Sequence, residues 1–309
     1  MPQKALVTGG AGFIGSNLVR ALLERGDDVR VLDNFSTGNR TNLEGLDVEI
    51  VEGELRSYER VHNAVRGTEV VYHLGALGSV PRSVQDPLTS SAVNIEGTLN
   101  VLLAARDEGI RRVVYSSSTS VYGSTRQLPT TEDTPPDPIS PYGVAKLAAE
   151  RYCVSFSRVY DSLETVVLRY FNVFGPRQSP SSQYAAVVPL FVTAIAEGRP
   201  VTIHGDGEQS RDFTYVANVV DATLLAEAAD GANGEIFNIA NGTPASVNAL
   251  ADTIGSILGK PVSKVHLPKR AGDIRDSWAD LGKSVGILGY QPETTLEEGL
   301  RHTVEFLVA

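Results

Sequence analysis

Residues 8–15 read TGGAGFIG, directly after the apolar run KALV at 4–7. The glycines at 9, 12 and 15 follow a GxxGxxG spacing rather than GxGxxG. A short β-branched run, a glycine-rich turn and an apolar helical pattern in that order predict a strand, a tight loop and a helix start. Glycine permits the turn and lets backbone approach a pyrophosphate, which then sits at the positive end of the helix. Asp33 ends the next predicted strand, 18 residues past Gly15. A carboxylate there binds the hydroxyls of an adenosine ribose and selects NAD over NADP. Arg40 could hold a 2′-phosphate, but Asp33 would repel it.

Outward from this loop the pattern repeats. KALVTGG, DVRVLDN, VEIVEGE, EVVYHLG, RRVVYSSS and TVVLRYFN read as buried strands, with helices at 12–25, 89–107 and 142–159 between some of them. Such alternation predicts the α/β class, a Rossmann doubly wound parallel sheet with helices on both faces. After Asn172 the chain becomes richer in Gly, Pro and Ser, with helical stretches near 187–198, 219–229, 246–258 and 295–307 and a strand at GEIFNIANG. The expected organisation is an NAD-binding Rossmann domain over 1–172 and a smaller mixed α/β substrate-binding domain over 173–309. The chain is expected to return to the first domain around 219–242.

Composition narrows the function classes. The 309 residues carry a net charge of −10, against binding to nucleic acid or an anionic membrane. One cysteine, Cys153, allows no intrachain disulfide, and five scattered histidines show no metal-ligand spacing. No apolar stretch has the length of a membrane span, and the strand starting by residue 5 leaves no room for a signal peptide. The expectation is a cytoplasmic protein with no metal.

In SPYGVAKLAAERY (140–152), Tyr142 and Lys146 stand four residues apart. Ser140 suits an N-cap and Pro141 the first helical position, so both side chains project from one face of one helix. An ammonium beside a phenol favours phenolate, so the tyrosine pKa is expected to be pulled toward neutrality, making it a general base. The strand RRVVYSSSTSVYG (111–123) ends in the hydroxyls of Ser116, Ser117, Ser118, Thr119 and Ser120, at the sheet edge where ligands bind.

Taken together, TGGAGFIG, YSSSTSVYG, YGVAK, LRYFNVFGPRQ, GDGEQSRDF and GDIRDSWAD resemble the extended short-chain dehydrogenases/reductases, specifically the nucleotide-sugar 4-epimerases. The resemblance implies that Tyr142 takes the proton of the sugar 4-hydroxyl. It implies that Lys146 binds the nicotinamide ribose and lowers the Tyr142 pKa, and that Ser118 hydrogen-bonds the 4-oxygen and relays its proton. The C4 hydride would pass to NAD, giving a 4-keto sugar that swings about its diphosphate and takes the hydride back on the other face. Further NAD contacts implied by the match are Gly9, Gly12, Phe13, Ile14, Gly15, Asp33, Asn34, Ser36, Glu54, Leu55, Leu74, Ala76, Asn94, Ser116 and Tyr170. The family usually has Asp where Glu54 stands.

For the substrate, the resemblance places Arg211 and Arg270 on the diphosphate, and Asn172 and Val188 on the phosphates or base. It places Thr202, Ile203 and His204 around uracil, Asp273 on the uridine ribose, and Ser79 beside the sugar. The 4,6-dehydratases of the superfamily carry Asp-Glu where Thr119 and Ser120 stand here, so dehydration lacks its acid and base. Ser277 replaces the bulky tyrosine of epimerases restricted to glucose and galactose. It leaves room for an N-acetyl group without excluding the smaller sugars. ALGSVPRSVQDP (76–87) with SSQYAAVVP (181–189) resembles the N-acetylhexosamine branch. The expected activity is therefore UDP-GlcNAc/UDP-GalNAc 4-epimerisation, with UDP-Glc/UDP-Gal also accepted. The alternatives are a UDP-glucuronate 4-epimerase, another NDP-sugar oxidoreductase, or a non-catalytic NAD-binding protein. Glucuronate epimerases carry an arginine at the position of Ser179. A homodimer is expected through a four-helix bundle of helices 89–107 and 142–159, with apolar positions Leu99, Leu103, Leu147 and Val154.

Overall fold

The computed structural model describes residues 2–125, 127–180, 186–269 and 274–308. Its first half alternates strands and helices: β1 (Lys4–Thr8), α1 (Phe13–Arg25), β2 (Asp28–Asp33), β3 (Glu49–Glu52), α2 (Tyr58–Val65), β4 (Val70–His73), α3 (Val80–Gln85), α4 (Pro87–Ser91), α5 (Gly97–Asp107), β5 (Arg112–Ser118), α6 (Pro141–Val159) and β6 (Glu164–Tyr170). The second half holds β7 (Val173–Phe174), α7 (Val187–Ala196), β8 (Val201–His204), β9 (Ser210–Arg211), β10 (Thr214–Tyr215), α8 (Val216–Ala228), β11 (Ile236–Ile239), β12 (Ala245–Ser246), α9 (Val247–Leu258), β13 (Lys264–Leu267), β14 (Asp276–Ser277) and α10 (Leu296–Val308).

Seven strands form one parallel sheet in the order β11-β6-β5-β4-β1-β2-β3. Successive strand residues point to opposite faces, so a continuous apolar run feeds two cores. Ala5 and Val7 of β1 face a core closed by Leu18 and Leu22 of α1 and Val219 and Ala226 of α8. Leu6, between them, faces a second core closed by Val61 of α2, Leu102 of α5 and Cys153 of α6. The doubly wound sheet is thus present as expected. Strand order reverses between β1 and β4, opening a crevice at their carboxyl ends, where the glycine loop lies.

The later segments build three small sheets, β10·β7, β12-β9-β14 and β13·β8. A separate core joins Phe191 of α7, Ile203 of β8, Ile254 of α9 and Leu300 of α10. Helix α8 and strand β11 return to the main sheet, with β11 parallel to β6. No helix among the described residues is long and apolar enough to cross a membrane.

Arg112 ties this returning segment down. Its buried guanidinium donates from Nη1 to the carbonyls of Ala226 (3.0 Å), Glu227 (2.6 Å) and Ala229 (2.9 Å), and from Nε to Glu164 (2.8 Å). It thereby satisfies the orphan carbonyls at the end of α8 and complements the helix dipole. Arg112→Leu is expected to cost about 3 kcal/mol and lower the melting temperature by roughly 5 °C. An unchanged urea midpoint would contradict this.

The expected helix 89–107 is interrupted. Between α4 and α5, Ala92–Glu96 widens into a π turn in which Asn94 is buried. Two distant contacts accompany the break. Asn94 exchanges hydrogen bonds with the backbone of Leu77 (2.8 and 3.2 Å), and a Cβ on Gly97 would lie 2.7 Å from the Leu55 Cβ.

Candidate active site

The β1–α1 turn is built around missing side chains. Gly9 has φ +70°, and its carbonyl accepts from Gly12 N at 3.0 Å. A Cβ on Gly15 would lie 2.1 Å from that same carbonyl oxygen, so helix and loop close only with glycine there. Gly12 begins α1 with no side-chain cap, and the first turn holds no acidic residue. The first-turn amides thus face the crevice between β1 and β4 without a competing side-chain anion, as a pyrophosphate requires. Asp33, buried at the end of β2, accepts from Ala11 N (2.9 Å) and Phe35 N (2.8 Å), which fixes the carboxylate beside the loop. This cradle fits an NAD adenosine diphosphate.

The other residues expected around a dinucleotide are placed unevenly. Asn34 and Ser36 form an exposed turn after Asp33, with Asn34 Oδ1 accepting from Ser36 N at 3.1 Å. Phe13 and Ile14 open α1 half-buried, and Leu74 and Ala76 follow β4, also half-buried. Leu55 packs between Gly75 and Gly97. Glu54 is paired with Arg56, so an adenine amino group would compete with that guanidinium. The carboxamide of Asn94 is spent on Leu77, and the hydroxyl of Tyr170 lies 2.8 Å from Thr223 on α8. Asn94 thus ties α4–α5 to the segment after β4, and Tyr170 ties β6 to α8.

At the neighbouring strand ends, Ser118, Tyr142 and Lys146 come together. Ser140 Oγ accepts from Gly143 N (3.1 Å) and Pro141 opens α6, as the sequence predicts. A Cβ on Gly143 would lie 2.5 Å from the Ser120 carbonyl, so glycine lets the helix start lie against the end of β5. Ser83 Oγ accepts from Tyr142 N at 3.1 Å and fixes the first turn. Lys146 is fully buried; its ammonium donates to the Ser116 carbonyl (2.6 Å) and lies 6.0 Å from the centre of the Tyr142 ring. Ser118 Oγ donates to Ser120 Oγ at 3.1 Å and lies beside the Tyr142 phenol.

One expectation is reversed here. Burial pushes the Tyr142 phenol up to about 12, with the Ser118 hydrogen bond pulling it down by less. Burial also pushes Lys146 down to about 8. Desolvation acts on both groups and outweighs the ammonium at 6.0 Å.

On the substrate side, Arg211 and Ser277 are register partners in the β9·β14 pair. The Arg211 guanidinium donates to the carbonyls of Ser210 (2.7 Å), Ile274 (2.8 Å) and Arg275 (3.2 Å). Asn172, at φ +28°, donates to the Asp212 carbonyl at 3.3 Å. Val188 is buried at the start of α7. Strand alternation turns Ile203 into the C-terminal core, and its neighbours Thr202 and His204 outward. A base at β8 would thus meet Ile203 only through its backbone. Ser79 caps α3, its Oγ accepting from Arg82 N at 3.2 Å. Arg270 and Asp273 lie outside the described residues.

Two buried groups escaped the sequence reading. Asp212 accepts from Asn241 N (2.8 Å), Gly242 N (3.1 Å) and Ala279 N (3.3 Å), stapling the strand of Arg211 to the segment after Ser277. His73 is sandwiched between the hydroxyls of Thr8 (2.7 Å) and Thr98 (3.0 Å). Burial, and then Lys146, hold it down to about 3, so it is a neutral strut under the site. A β-branched strand ending in His gives no signal separating strut from catalyst.

Residues 5–240 match the model of the "NAD dependent epimerase/dehydratase family". The chain is 40% identical over 314 residues to the UDP-glucose 4-epimerase of Mycolicibacterium smegmatis, covering 98% of each chain. The crystal structure of a UDP-glucose 4-epimerase with UDP-glucose from Thermotoga maritima superposes with TM-score 0.94 at 40% identity, covering 99% of this chain and 98% of that one. A UDP-N-acetylglucosamine 4-epimerase from Methanobrevibacter ruminantium M1, in complex with UDP-N-acetylmuramic acid, gives TM-score 0.94 at 38% identity, with 99% and 98% covered.

Proposed function

Because this chain belongs to the NAD-dependent epimerase/dehydratase family, among its UDP-sugar 4-epimerases, we propose that it inverts C4 of UDP-GlcNAc and UDP-GalNAc and also accepts UDP-Glc and UDP-Gal. The observation that carries this reading is the trio Ser118, Tyr142 and Lys146 at the carboxyl edge of the sheet, with hydroxyls and no carboxylates at Thr119 and Ser120. Held by the glycine loop and Asp33, NAD would supply a reversible hydride acceptor for C4. Tyr142 takes the 4-hydroxyl proton and later gives it back; Ser118 bridges the 4-oxygen and the phenol. Lys146, held by the Ser116 carbonyl, supplies the positive charge that favours phenolate once a sugar fills the site. Asp33 orients the adenosine ribose. Arg211, with Arg270 and Asp273, positions the uridine diphosphate, and Ser277 borders the sugar 2-substituent. Residues 1–172 with the returning α8–β11 segment form the cofactor half, and the rest of 173–309 supplies the substrate half.

The broad sugar range rests on Ser277. Ser277→Tyr is expected to cut kcat/KM for UDP-GlcNAc by about 100-fold while leaving UDP-Glc within about threefold, because the added ring fills only the space of an N-acetyl group. A coupled assay on both sugars checks it; equal losses would remove Ser277 as the selecting residue. A homodimer through α5 and α6 fits the outer face of α6, where Val144 and Tyr152 are exposed. Leu99, Leu103 and Leu147 instead pack against the chain's own cores, and Val154 is buried.

A further inference from the structure

Chemistry shared between a strand end and a helix needs both held in register to within about half an ångström. Below Ser118, Tyr142 and Lys146 lies a buried ion pair that the proposed reaction does not use. Glu150, one helical turn beyond Lys146, and Arg169 of β6 are 0% and 1% exposed. Arg169 Nε donates to Glu150 Oε1 at 2.9 Å, and Nη2 to Oε2 at 2.8 Å. Ser117 Oγ donates to the same Oε1. Ser117 and Arg169 are register partners across β5·β6, so both reach the carboxylate from neighbouring strands.

The position of Ser117 gives this pair its reach. On one side is Ser116, whose carbonyl takes the Lys146 ammonium; on the other is Ser118. One carboxylate therefore joins the helix of Tyr142 and Lys146 to the strand of Ser116 and Ser118. Beyond it, the Arg169 guanidinium lies 4.6 Å from the Tyr122 ring, and the Tyr122 hydroxyl donates to Asn238 of β11 at 2.6 Å. A buried ion pair is seldom more stable than an apolar pair of the same volume, so stability alone does not account for it.

We propose that Glu150 and Arg169 are positioning residues for the reaction at C4, clamping Ser117 so that Ser118 and the Ser116 carbonyl meet Tyr142 and Lys146 at working distance. The inference rests on the epimerase reading above. A second effect follows from charge. The titratable groups facing Lys146 are Tyr142, Glu150 and Cys153 on its own helix, Tyr115 on β5 and His73 on β4. Of these, Glu150 is the one carboxyl group, paired with Arg169, and it favours the ammonium of Lys146.

Two variants separate positioning from folding. Glu150→Leu/Arg169→Met replaces the pair with apolar side chains. It is expected to melt at or above the wild-type temperature, yet to lose about 10-fold or more in kcat, with KM for UDP-Glc within about 2-fold. Glu150→Gln keeps the shape and removes the charge. Its Lys146 side-chain carbon resonance, assigned by its loss in Lys146→Met, is expected to titrate about one pH unit lower than in wild type. Wild-type kcat in the double variant, or an unmoved Lys146 titration in Glu150→Gln, overturns the proposal. If the double variant does not fold, Ser117→Ala decides the clamp: kcat within about 2-fold of wild type overturns it. Wild-type protein that converts no UDP-hexose overturns the epimerase reading instead, and the titration still decides whether Glu150 acts on Lys146.

Discussion

Tyr142→Phe is expected to lower kcat about 1000-fold and to leave the melting temperature within about 2 °C. The substitution removes one oxygen from a ring that stays packed, and the first turn of α6 remains fixed by Ser83, Ser140 and Pro141. What is lost is the only group of the trio able to accept a proton from a sugar hydroxyl. Ser118 can relay a proton but not keep it, and Lys146 is spent on the Ser116 carbonyl. Steady-state rates on UDP-Glc and UDP-Gal, with intact NAD binding by calorimetry, check the result. Activity within tenfold of wild type would sink the assigned role of Tyr142.

Lys146→Met is expected to move activity and stability in opposite directions. The Lys146 ammonium is fully buried, and burial lowers its pKa from the ordinary 10.5 to about 8. The folded state therefore binds fewer protons than the unfolded state between those values, and wild-type stability rises with pH across that window. Below about 8 the whole cost of burying the charge is present, on the order of 3 kcal/mol. Methionine avoids this cost but forfeits the bond to the Ser116 carbonyl, worth about 1 kcal/mol. The net gain is about 2 kcal/mol at pH 7, or roughly 3 °C, and it falls through zero to a loss of about 1 kcal/mol above about pH 10.5 as the charge cost vanishes and only the lost bond remains. Meanwhile kcat falls roughly 100-fold or more, because phenolate formation at Tyr142 loses its cation. Urea denaturation of both proteins at pH 7 and pH 10.5 tests the sign; a destabilised variant at pH 7 would contradict it. A lysine that costs stability where it sits is placed there for chemistry.

The sheet was readable because its inner strands, such as β1, β4 and β5, are buried on both faces and so appear as unbroken apolar runs, whereas the edge strand β3 is largely exposed. The glycine loop was readable because each glycine answers a local demand, most plainly Gly15 against the Gly9 carbonyl. Less legible were features set by contacts far apart in the chain. The π turn at Ala92–Glu96 accompanies contacts of Asn94 with Leu77 and of Gly97 with Leu55, which local periodicity does not show. In the site, Tyr142 and Lys146 were visible from their spacing, but the direction of the Tyr142 shift was not, because burial is a property of the whole fold. The inward turn of Ile203 follows from strand alternation and could have been read from PVTIHG. The engagement of Tyr170 with Thr223, and of Glu150 with Arg169, could not. Each joins residues whose meeting depends on which strands are neighbours.

Proton NMR of UDP-Gal incubated with the NAD-loaded protein in deuterium oxide reads whether the C4 hydride leaves and returns within one site. The expected result is conversion to UDP-Glc with protium retained at C4 and no net accumulation of NADH. Deuterium at C4 of the product, or no conversion of any UDP-hexose by folded, NAD-loaded protein, would contradict it.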